Sequence, residues 1–92
     1  MRRMSSLKEL NLSNNRIENV ASLSELKTLT TLNLSSNRIE ELKNLNLPVL
    51  THLNLDHNLI KIVRGFRGLK KLEDLSLAEN LIEDPSIQET GS

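Results

Sequence analysis

LNLSNNRIE, Leu10 to Glu18, decides how this chain folds, because nearly the same string returns as LNLSSNRIE at Leu32, LNLDHNLIK at Leu53 and LSLAENLIE at Leu75. The offsets are 22, 21 and 22 residues. A period in this range marks a solenoid, in which no unit can bury its apolar face without a neighbour stacked on it.

Each unit follows L-x-x-L-x-L-x-x-N-x-I, then three apolar positions about three residues apart. In the first unit these are Leu7, Leu10, Leu12, Asn15, Ile17, Val20, Leu23 and Leu26. The L-x-L pair alternates as a short strand does, one side chain inward and the next outward. The later spacing of three suits a 3₁₀ or helical turn. Stacked units therefore set the strands side by side as a parallel sheet, the returns on the opposite face, and the leucines between them.

This pattern resembles the leucine-rich repeat family over about Leu7 to Ile82, and four copies at near-constant spacing carry the resemblance. The 22-residue unit with a leucine-spaced return is similar to the subclass typified by a protein-phosphatase regulatory subunit. The resemblance implies an α/β solenoid with a curved parallel sheet on the concave face and short 3₁₀ or helical returns on the convex face. It also implies that the concave face binds a protein partner. One domain spans 1–92, divided into a partial repeat 1–6, repeats 7–28, 29–49, 50–71 and 72–85, and a tail 86–92.

Asn15, Asn37, Asn58 and Asn80 share one position among core residues, so the spacing predicts a buried asparagine ladder that satisfies backbone groups where each strand ends. Asn11, Asn33, Asn54 and Ser76 lie between the two strand leucines and must point the other way. Beside them run Glu9, Thr31, His52 and Asp74, then Ser13, Ser35, Asp56 and Ala78. Asn14, Ser36, His57 and Glu79 continue onto the rim. The expected partner-binding residues are Glu9, Asn11, Thr31, Asn33, His52, Asn54, Asp74 and Ser76, with His52 and Asp74 paired across adjacent strands.

The composition excludes other classes. Phe66 is the only aromatic, so base stacking on nucleic acid is not expected. The absence of cysteine removes disulfides and thiolate chemistry and favours an intracellular setting, cytoplasmic or nuclear. Twelve basic and twelve acidic side chains leave no net charge to draw a polyanion, and no stretch approaches the roughly 20 apolar residues of a membrane span. No nucleophile elbow, phosphate loop or convergent metal-ligand set is present, so no enzyme, cofactor or metal is expected.

Several local features stand out from the repeat. Ser22 and Glu25 have capping-box spacing, and Gly65 with Gly68 argues against a regular helix in the third return. Arg16 and Arg38 give way to Leu59 and Leu81, with Ile62 nearby, so an exposed apolar patch is expected. Lys61, Arg64, Arg67, Lys70 and Lys71 make the third return basic, the residues after it are acidic, and Arg2 with Arg3 lies at the other end. The alternative to partner binding is thus a structural, truncated or engineered repeat segment that self-associates head to tail through uncapped ends.

Overall fold

The computed structural model describes residues 6–82. Residues 1–5 of the partial repeat, with Arg2 and Arg3, the end of the fourth repeat and the tail 86–92 fall outside them. Four strands, β1 (Glu9–Asn11), β2 (Thr31–Asn33), β3 (His52–Asn54) and β4 (Asp74–Ser76), form one parallel sheet in the order β1-β2-β3-β4. The register follows the repeat without a slip: Leu10 stands beside Leu32, Leu32 beside Leu53 and Leu53 beside Leu75. Because side chains alternate along a strand, that register puts every strand leucine into one layer and every flanking polar residue onto the open face.

Leucines of the strands and of the returns fill the space between. Leu26, Leu29, Leu32, Leu34, Ile39, Leu47, Leu50, Leu55 and Ile60 are fully buried, each contributing about 1.5–3 kcal/mol relative to an exposed side chain. Burial follows stacking. Leu32, Leu34 and Ile39 are buried with a repeat on either side, whereas their equivalents Leu10, Leu12 and Ile17 are only partly covered.

After each strand the chain reverses through one left-handed residue: Asn14 at φ 60°, Ser36, His57 and Glu79 at φ 57°. The rim positions are therefore the turning points of the solenoid. Asn tolerates this conformation, whereas most L-residues lose about 1–2 kcal/mol in it. Glu79, exposed and without a polar partner among the described residues, gains nothing in exchange. Glu79→Asn is expected to stabilise by about 0.5 kcal/mol and to raise the thermal midpoint by about 3 °C, with no gain from Glu79→Ala. Calorimetry of the three chains checks this.

The returns differ from one another. Only the first contains a helix among the described residues, the 3₁₀ segment Ala21–Glu25. The expected capping box does not form: Val20 holds the N-cap position without a side-chain bond, and Asn19 Oδ1 accepts from the Ala21 N–H instead. Asn19 thereby satisfies a donor two residues ahead, and Ser24 joins the next repeat. Its hydroxyl donates to Asn44 O (2.9 Å) and accepts from Asn46 N (2.8 Å).

The third return has no helix, and its glycines explain the close stacking. Gly65 sits at φ +90°, and a Cβ there would lie 1.9 Å from Leu42 O; one on Gly68 would lie 2.4 Å from Leu45 O. Gly68 O in turn accepts the Leu47 N–H at 3.2 Å.

Candidate functional site

Three sets of side chains define what the sheet can present. The first is the ladder beneath it. Asn37 Nδ2 donates to Leu34 O and Ser35 O in its own turn and to Leu12 O in the preceding repeat, while Oδ1 accepts from the Ile17 N–H at 2.9 Å. Asn58 repeats this with Leu55 O, Asp56 O, Leu34 O and Ile39 N, and Asn80 with Leu77 O, Ala78 O, Leu55 O and Ile60 N. Each amide thus ties its own turn to the repeat before it.

The spacing predicts a buried column throughout, and the structure departs from this at its ends. Asn37 and Asn58 are 7% and 4% exposed and Asn80 is half-buried, but Asn15 is exposed and bonds only Leu12 O and Ser13 O. No described repeat stacks over Asn15, so it has neither cover nor a second turn to hold.

The second set is the open face. The eight expected residues fall into two rows fixed by the register: Glu9, Thr31, His52 and Asp74, and alongside them Asn11, Asn33, Asn54 and Ser76. Thr31, Asn33, His52, Asn54, Asp74 and Ser76 come together around one shallow depression of about 250 Å³ floored by Leu32 and Leu53. Glu9 and Asn11 extend the rows on β1 beyond it. A recess so small and open suits side chains of a macromolecule better than an enclosed small molecule.

His52 is held from both sides. The Thr51 hydroxyl lies 3.0 Å from Thr30 O, to which it donates, and 2.8 Å from His52 Nδ1, where the ring tautomer sets which group donates. His52 Nε2 then stands 3.6 Å from Asp74 Oδ2, the cross-strand pair expected from the register. Both side chains are exposed, so the pair contributes little to stability.

The asparagines of this face are less free than their outward direction suggests. Oδ1 of Asn11, Asn33 and Asn54 accepts from the N–H two residues on, at Ser13, Ser35 and Asp56. Each amide is pinned by its own turn, and its Nδ2 has no hydrogen-bond partner among the described residues. In the fourth repeat Ser76 cannot reach, and Asp56 supplies the acceptor from the neighbouring repeat. Its Oδ1 takes both the Ala78 N–H (2.8 Å) and the Ser76 hydroxyl (2.5 Å). The sequence carried a signal for this bridge: Ser76 replaces asparagine and Asp56 replaces serine in adjacent repeats, at columns that touch.

The third set lies beside the sheet. Leu59 and Leu81, 39% and 46% exposed, are the exposed large apolar residues among those described, and with Ile62 they line one groove. Glu40, Glu41 and Lys61 border it. Glu41 pairs with Lys43 (3.2 Å) and Arg64 (3.5 Å), and the Lys43 contact holds its carboxyl below the usual carboxylate range. Arg64 thereby reaches the preceding repeat while its side chain stays exposed.

No group of His, Asp and Glu among the described residues could hold a metal ion, and no helix among them is long and apolar enough to cross a membrane.

Parallel strands in unbroken register, one return per strand and an amide ladder joining each unit to the last define a solenoid of short repeats. A family model described as Leucine Rich repeats (2 copies) matches residues 5–47 and 48–88, nearly the whole length, and the chain belongs to the leucine-rich repeat family. No curated protein and no solved structure matches it. Members of the family generally mediate protein–protein interaction and are typically not enzymes.

Proposed function

We propose that this chain is a non-enzymatic module that binds a protein partner through the open face of its sheet, with contacts drawn from Glu9, Asn11, Thr31, Asn33, His52, Asn54, Asp74 and Ser76. The observation that carries the reading is the fixed amide column. Asn11, Asn33 and Asn54 have their carbonyl oxygens bound to backbone and their Nδ2 groups without a partner among the described residues. Donors already oriented lose little freedom on binding, and strands spaced about 4.8 Å apart present them at a regular interval.

Because the asparagines also hold their turns, replacing them would mix folding with binding. Thr31 is the better probe: it lies at the centre of the face, half-buried, with no side-chain bond of its own. Thr31→Arg is expected to weaken a partner recovered by affinity capture by about tenfold or more while leaving the thermal midpoint within about a degree. Lys70→Glu, on the return, is expected to change neither. Undiminished capture by the Thr31→Arg chain would overturn the reading.

A further inference from the structure

The interface that joins one repeat to the next has a fixed set of polar partners, and its first and last described repeats each hold half of one. In the interior, the carbonyl of the second strand leucine accepts two amides. Leu12 O takes Asn15 and Asn37, Leu34 O takes Asn37 and Asn58, and Leu55 O takes Asn58 and Asn80. Leu77 O takes Asn80 alone. The N–H of Ile17, Ile39 and Ile60 donates to the next asparagine, and that of Ile82 has no acceptor among the described residues. At the opposite end Asn15 Oδ1 receives no donor among the described residues, where its Nδ2 makes two bonds and those of Asn37, Asn58 and Asn80 make three. The backbone repeats the theme. Arg38, Leu59 and Leu81 donate N–H to Ile17 O, Ile39 O and Ile60 O, whereas the Arg16 N–H and Ile82 O have no such partner among the described residues.

We propose that a second copy of this chain stacks head to tail on the first, Asn15 of one copy accepting from the Ile82 N–H and donating to Leu77 O of the other. The contact continues the interface that already joins the chain's own repeats, with the same atoms in the same roles. It would also cover Leu10, Leu12, Leu75 and Leu77, which are only partly buried. Unpaired strand edges of this kind template addition of another strand. Such a contact is heterologous, so it grows beyond two copies rather than closing on itself.

One pair opposes it. Continuing the register places Glu9 of the incoming copy beside Asp74, as Thr31 stands beside Glu9 and Asp74 beside His52. The basic-to-acidic attraction expected from the sequence therefore does not extend to the sheet, where carboxylate meets carboxylate. Like charges directly opposite destabilise strand pairing, a common device against edge-to-edge association.

Sedimentation of the full chain across a wide concentration range tests the proposal. Mass is expected to rise with concentration beyond a dimer. Glu9→Lys, a change at an exposed side chain without bonds, is expected to strengthen association by about threefold or more by converting repulsion into an ion pair. Asn15→Ala, verified as folded by circular dichroism, is expected to weaken it. A chain that stays monomeric throughout, with or without Glu9→Lys, would refute head-to-tail stacking. So would growth that stops at two copies or ignores both substitutions.

Discussion

Asn37→Leu is expected to cost about 3–5 kcal/mol, enough to unfold most of the population of a chain this size. The replacement has nearly the right volume and removes no cavity-filling atoms, so the loss is polar. Leu34 O and Leu12 O would each keep one of their two amides, but the Ile17 N–H would have no acceptor inside the stack. An unsatisfied buried donor costs about 1–3 kcal/mol, and the link between first and second repeats goes with it. Asn15→Leu is the control, since Asn15 is exposed and makes two local bonds; about 1 kcal/mol is expected there. Urea denaturation of both variants measures the difference. Equal midpoints would mean that the ladder bonds do not hold the repeats together.

Gly65→Ala is expected to have the next largest effect, about 3 kcal/mol or more. Two costs add. The backbone at φ +90° is one that an L side chain rarely adopts, and the new Cβ would sit 1.9 Å from a backbone oxygen of the preceding return. Neither side can yield cheaply, because Leu42 is 3% exposed and packed in the core. The third return must lift away, uncovering the leucines beneath it. Exchange of the Leu47 amide, bonded to Gly68 O, is expected to accelerate in the variant. A thermal midpoint unchanged from the natural chain would contradict the close stacking of the two returns.

The spacing of LNLSNNRIE was enough to place the strands, because a two-residue alternation repeated at 22 residues admits one register, and Leu10, Leu32, Leu53 and Leu75 take it. The ladder was legible for the same reason, since an amide among core residues must find partners. What the pattern could not convey was position within the stack. Asn15 and Asn37 have the same neighbours in sequence save Asn14 against Ser36, yet one is exposed and the other buried, because burial depends on whether a further unit lies above. The Ser22 and Glu25 spacing misled because the helix starts at Ala21, one residue earlier than a Ser22 cap requires, which puts Ser22 inside it and Val20 at the N-cap. On the open face, direction was legible and commitment was not: alternation points Asn33 outward, but only the turn geometry binds its oxygen to Ser35.

The bridge from Asp56 to Ser76 has a bearing on how such an array changes over generations. Most departures from the repeat stay within one unit and can be judged there. This one is shared: replacing Ser76 by asparagine alone would remove the hydroxyl that donates to Asp56, and replacing Asp56 by serine alone would remove the carboxylate that accepts from both the Ala78 N–H and Ser76. Either single replacement gives a poorer intermediate, whichever comes first. The two repeats are in this respect one unit for exchange, and moving either into another array without its neighbour would part Asp56 from the donors it serves.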